Sequence, residues 1–125
     1  MRHYKTTAAT ASADTTKTLI EETTLPACGS RIVGISISHL GAATMTTAEP
    51  VTGIVEFESD DIPNLTPMQL PLSQATFLTS GAVALHPYFF PCDIPYKGGN
   101  KLKSYITLDG NTTGAVKSRV TYAVE

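Results

Sequence analysis

The chain has no tryptophan, only two cysteines, and charged residues at 16% of its 125 positions. Ordinary soluble domains carry about a quarter charged residues, so this surface is unusually neutral. A formal net charge of −2 removes the clustered Lys and Arg from which nucleic-acid binders draw their affinity. No apolar run approaches the roughly 18 residues of a membrane-spanning helix. The charged start Met1 to Lys5 is followed by Thr and Ala rather than an apolar run, so no signal peptide is read and synthesis in a cytoplasm is expected. Cys28 and Cys92 lie far apart, each beside a proline-containing stretch. They are read as two buried free thiols or as one disulfide, which would close a long loop and add about 4 kcal/mol.

Motifs of chemistry are also missing. His3, His39 and His86 share no local spacing with cysteine or with one another, so no zinc site is expected. Gly-x-Ser-x-Gly is absent, Cys92 has no local cue for an activated thiolate, and Gly98 and Gly99 form a turn rather than a phosphate cradle. The expectation is a protein that is not an enzyme and has no cofactor. Glu58, Asp60 and Asp61 cluster at a strand end, read as a solvated acidic loop over a calcium site. Asn64 to Thr66 and Asn111 to Thr113 fit the N-glycosylation pattern but are read as turns.

What is present is alternation. Leu102, Ser104, Ile106 and Leu108 face one way and Lys101, Lys103, Tyr105 and Thr107 the other. Asp109 to Gly114 turns the chain, and Val116, Ser118, Val120, Tyr122 and Val124 resume the pattern. Two such runs around a Gly/Asn/Asp cluster spell two antiparallel strands with one buried face. Thr52 to Ser59 reads the same way, with Val55 and Phe57 inward. So does Arg31 to His39, with Val33, Ile35 and Ile37 inward and His39 continuing that register.

Lys17 to Thr24 is a first strand unless its Glu pair draws it into a helix. Gly81 to Tyr88 is a further strand, Gln74 to Thr79 is ambiguous, and Gly41 to Glu49 is a loop or edge strand. The prolines of Asp60 to Pro71 exclude a long regular element. Seven or eight short strands without an amphipathic helix argue for an all-β fold, an antiparallel β-sandwich of jelly-roll type.

Residues 1–16 read as an N-terminal arm on a single sandwich domain, 17–125. The arm is rich in Thr and Ala and, if ordered, lies against its own domain or a neighbouring subunit. Removing it should leave the monomer folded and weaken assembly. Tyr88, Phe89 and Phe90, in a proline-bracketed loop from His86 to Pro91, either cap one end of the sandwich or present a contact surface. With Tyr96 and the arm residues Thr6, Thr7 and Thr10 they are the interface candidates. Without tryptophan, a carbohydrate-binding module lacks its usual stacking platform.

Ile94 to Gly99, Leu102 to Asp109 and Val116 to Val124, with Arg31 to His39 and Thr52 to Asp61, make up about half the chain. In style this resembles small β-sandwich structural proteins of virus particles, both single jelly-roll capsid subunits and capsid-decoration proteins. The resemblance implies a virion protein that acts through contacts with other copies of itself or with a major capsid protein. It also implies an arm that crosses a subunit boundary and an edge strand, at Lys17 to Thr24, that accepts a neighbour's strand. The alternative is a β-sandwich module that binds carbohydrate or a receptor.

Overall fold

The computed structural model describes residues 1–12, 15–40, 53–62, 65, 68–72, 88–108 and 116–125. Among them are nine strands and no helix: β1 (His3–Thr6), β2 (Thr10–Ser12), β3 (Thr18–Thr24), β4 (Arg31–Leu40), β5 (Gly53–Glu58), β6 (Met68–Leu72), β7 (Tyr88–Pro95), β8 (Lys101–Leu108) and β9 (Val116–Val124). Sheet A runs β1-β9-β4-β7, with β2 also on β9, and sheet B runs β3-β8-β5-β6.

Every pairing is antiparallel, and the pairs nest. The N-terminal strands pair with β9, β3 with β8, β4 with β7 and β5 with β6. The chain is therefore one long folded-back ribbon, rolled so that β9 meets β4 and β8 meets β5. This winding is the jelly roll, and the all-β sandwich expected from alternation is the fold observed.

The core lies between the sheets. From sheet B it receives Val55, Phe57, Leu102, Ile106 and Leu108, and from sheet A Ile32, Ile35, Ile37, Val120, Tyr122 and Val124. Phe57 of β5 meets Tyr122 of β9 edge-on, with ring centroids 6.1 Å apart and planes at 72°. That is the favoured geometry for an aromatic pair and adds about 1 kcal/mol to simple burial. The alternation read for β5 and β8 holds, and in β9 Ser118, Val120, Tyr122 and Val124 are buried as read, with Ala123 buried as well.

Strand β4 differs. Its register shifts between Ile32 and Gly34 against both neighbours, so Ile32, Ile35 and Ile37 are buried and Val33 is only half-buried. A bulge inserts one residue and resets the face of everything before it. A similar shift in β3 leaves Ile20 buried between Leu19 and Glu21.

Three further expectations change. The loop proposed around Phe89, Phe90 and Pro91 is strand β7, which carries Pro91 and Pro95 at the end of sheet A. The proline-rich stretch contains strand β6 with Pro71, at the end of sheet B. End strands admit proline because one side of the ladder is free. The cysteines are unpaired, with Cys28 exposed and Cys92 half-buried rather than both buried. Burial, helped by Asp93, pushes the Cys92 thiol above its ordinary pKa.

At one end of the sandwich the turn after β7 is fixed by Gly99, whose φ of 89° only glycine adopts without strain. There Leu25 N donates to Asn100 O and Gly99 N to Leu25 O. The Tyr96 hydroxyl donates to Pro26 O at 2.7 Å. The residues expected as strands or loops at 41–49, 74–79 and 81–87, the turn at 109–114, and His86 lie outside the described residues.

Among the described residues the buried hydroxyls of Thr23, Thr107 and Tyr122 lack a hydrogen-bond partner, and that of Tyr122 belongs to the core between the sheets. The Tyr122 hydroxyl lies beside Ser104 yet has no hydrogen-bond partner of ordinary geometry, and burial holds its pKa far above the usual phenol range. Replacing an unpartnered buried hydroxyl by hydrogen costs nothing in lost bonding. Tyr122→Phe is expected to leave stability unchanged or raise it by about 1 kcal/mol in urea unfolding. A loss of that size would show the hydroxyl to be satisfied.

Candidate subunit-contact surface

The N-terminal segment is a strand of the sheet. His3 to Thr6 pair with Val124 to Thr121, and Thr10 to Ser12 with Ser118 to Val116, so the ladder gains one residue across 7–9. Thr7 bridges the gap. Its N–H donates to Val120 O at 2.9 Å, and its hydroxyl, not its carbonyl, accepts from Val120 N at 3.0 Å. The same hydroxyl donates to Ala8 O at 3.0 Å. The side chain thus stands in for a backbone acceptor at the point where the ladder slips.

Beyond the slip the segment crosses towards sheet B. Ala8 N donates to the Glu21 carboxylate at 3.0 Å and the Thr10 hydroxyl to Ile20 O at 2.8 Å. One side of the sandwich is laced shut by the chain's own first residues.

The outer faces of the two sheets differ in chemistry. On sheet B, Lys17 reaches Glu58 at 2.7 Å and Glu56 at 4.0 Å, and Lys101 and Lys103 flank Glu22 at 3.7 and 3.8 Å. Lys17 also sits 4.6 Å from the Tyr105 ring centre, and its Glu58 hydrogen bond holds its pKa above the ordinary ammonium value. Exposed pairs of this kind are worth little singly, but they leave a well-hydrated face.

On sheet A, register aligns Tyr4, Ala123, Gly34 and Pro91 in one row, and Thr6, Thr121, Ser36 and Phe89 in the next. These eight positions carry no charge. Tyr4 is 65% and Phe89 47% exposed, while Ala123 is buried. The Phe89 ring lies over Gly34 so closely that a Cβ there would stand 2.1 Å from its Cζ. An aromatic ring laid over a strand glycine repairs the gap that the missing side chain leaves. Four strands span about 14 Å, which is the size of a hot-spot cluster rather than of a whole interface. The neutral rows are flanked by the exposed Arg119, by Arg31 paired with Asp93, and by Arg2 paired with Glu125.

The candidate residues therefore separate. Phe89 and Thr6 share the outer face of sheet A, with the Thr6 hydroxyl 2.9 Å from that of Thr121. Phe90 packs against the core. Tyr96 is buried and tied to Pro26, and Thr7 is buried in its own ladder. Thr10 is committed to Ile20. Tyr88 begins β7 opposite Ile37. Sequence reasoning missed Tyr4, whose alternation with Thr6 was the available signal.

The acidic turn has internal work. Ser59 Oγ accepts from Asp61 N and Ile62 N and donates to Lys101 O, and Asp61 accepts from Lys101 N at 2.8 Å. With Glu22, Asp60 and Lys103 these residues line a shallow polar recess. No group of three metal-ligating side chains converges among the described residues.

No family model matches the chain, and no curated protein matches it. Among solved structures it is similar to one of infectious bursal disease virus, Gx strain, at 10% identity and a TM-score of 0.48, covering 99% of this chain and 32% of that one. It is also similar to the capsid asymmetric unit of cyanophage Pam1, at 18% identity and a TM-score of 0.45, covering 99% and 86%. The chain spans about a third of the length of the first. Likeness at these values assigns neither family nor role.

Thr7→Val removes the acceptor of the buried Val120 N–H and is expected to cost about 1–3 kcal/mol. Thr7→Ser keeps the hydroxyl and loses one methyl, about 0.8 kcal/mol. Urea midpoints of the two variants separate the roles, and equal losses would deny the hydroxyl its place in the ladder.

Proposed function

We propose that this chain is a non-enzymatic structural protein of a virus particle, a small capsid subunit or a decoration protein that acts through subunit contacts. The observation that carries the reading is the contrast between the sandwich's outer faces. Sheet B is dressed with ion pairs across its strands, whereas sheet A carries two uncharged rows of aromatic and hydroxyl-bearing residues, with Lys117, Arg119 and the Arg2–Glu125 and Arg31–Asp93 pairs only beyond those rows. Exposed aromatic side chains on a neutral, closely packed surface are the usual centre of a protein contact. The low overall charge fits a chain whose surface is partly covered by neighbours. The partners are other copies of this chain or a major capsid protein, and the site of action is the virion.

The same face favours one other reading, since Tyr4 and Phe89 are rings on which a sugar could stack. A titration with soluble glycans, followed through the Tyr4 and Phe89 resonances, distinguishes it: a saturable response supports the ligand-binding module. For the structural reading, light scattering over a concentration series measures the species formed. A closed oligomer is expected, and Tyr4→Asp should weaken it by about tenfold or more, as loss of a hot-spot contact does. The urea midpoint should not move, because Tyr4 is largely exposed. A strict monomer that also fails to bind assembled shells would end the proposal.

A further inference from the structure

We propose that the outer edge of β1 is a docking site for an extended acidic segment of a partner protein, which joins sheet A as an additional strand. The inference is independent of the shell-subunit reading, because it rests on a strand edge rather than on the outer face.

The ladder decides which backbone groups are available. Thr7 N donates to Val120 O, and antiparallel pairs alternate. His3 and Lys5, in the same register, therefore aim their N–H and C=O groups at β9, and Tyr4 and Thr6 aim theirs away from it. Strand β1 ends the sheet order among the described residues, so four backbone hydrogen-bonding groups face outward.

The other terminal strands are defended. Strand β7 contains Pro91 and Pro95 and strand β6 contains Pro71, each of which lacks a donor and blocks a regular added strand. Strand β3, the edge expected from sequence to accept a neighbour, is engaged by its own chain. Thr10 holds the Ile20 carbonyl and Ala8 holds Glu21. Strand β1 contains no proline, and its residues are exposed or half-buried.

Charge selects the occupant. Lys5 is exposed and has no ion pair among the described residues. Among the described residues Arg2 reaches only Glu125, at 3.6 Å, with both side chains about half exposed. A second copy pairing β1 with β1 would bring Arg2 and Lys5 against their own kind, and like charges across strands are unfavourable. An incoming strand whose carboxylates fall on the face of Lys5 meets that cation and supplies backbone partners to Tyr4 and Thr6.

The test uses the full chain, amide hydrogen exchange by NMR, and two blocked peptides of about eight residues, the usual reach of strand addition. One alternates glutamate with valine and the other lysine with valine. The glutamate peptide is expected to slow exchange at Tyr4 and Thr6 by about tenfold or more, and the lysine peptide to bind at least about tenfold more weakly. Tyr4→Pro removes an outward donor without taking a β9 bond, so it should abolish the protection. Lys5→Glu should narrow or reverse the preference between peptides, and it keeps the test decisive if the proline variant does not fold. Protection at β3, β6 or β7, equal binding of both peptides, or no protection at millimolar peptide would overturn the proposal. Protection of Tyr4 and Thr6 that grows with protein concentration alone would overturn it in favour of a second copy.

Discussion

The structure depends on what happens on the two sides of β9. On one side it pairs with β4 along nearly its whole length, and on the other with the N-terminal strands. Its inward residues Val120, Tyr122 and Val124 are fully buried, and Tyr122 carries the ring contact to Phe57 in the opposite sheet. Because the winding nests the pairs, this outermost pairing joins residues more than a hundred positions apart. Contacts of such sequence separation form only after large loops close, so folding is governed by topology rather than by local propensity. Residues 3–6 and 10–12 of the N-terminal arm are thus strands of sheet A. Removal of the arm would expose the β9 edge and strip Val120 N of the Thr7 hydroxyl.

That constraint also explains why the two sheets present different surfaces. Sheet B has long charged side chains on its outer positions, where Glu22, Glu56 and Glu58 stand opposite or diagonal to Lys103, Lys101 and Lys17. Across two rows of sheet A the outer positions are small in the middle, namely Ala123, Gly34, Ser36 and Thr121, with Tyr4 and Phe89 at the margins and charged Lys117, Arg119 and Asp93 beyond. Small central residues let the Phe89 ring fold down onto the sheet instead of standing into solvent. The result is a low, uncharged surface that another protein can approach closely.

How much of this was legible follows from what each element relies on. Strands β5, β8 and β9 hold a period of two because each has neighbours on both sides and one buried face, and their core residues could be read directly. Strand β4 shares that environment, but the bulge at Val33 breaks the phase, and no local feature of Ile32 to Gly34 announces it. Strand β7 was hidden by its prolines, which a chain-end strand tolerates and an interior strand does not. Strand β1 buries no apolar side chain, since Thr7 and the backbone ladder hold it, so hydrophobic patterning could not find it. Among the contact candidates, Phe89 was readable as an exposed ring, whereas Tyr96 was not readable as core. Its hydroxyl partner, Pro26, lies 70 residues away, beyond any local pattern.

A sandwich with so little charge has few means of discouraging random association, and here the means are placed strand by strand. Proline occupies two terminal strands, the chain's own first residues engage a third, and ion pairs hydrate the face of sheet B. What remains open among the described residues is contiguous: the outer face of sheet A and the β1 edge that borders it, joined through Tyr4. Tyr4 belongs to both, its ring on the face and its backbone N–H and C=O on the edge. The proposed association would thereby be directed to one side of one sheet by closing the other routes, with the exposed cations Lys5 and Arg119 beside it.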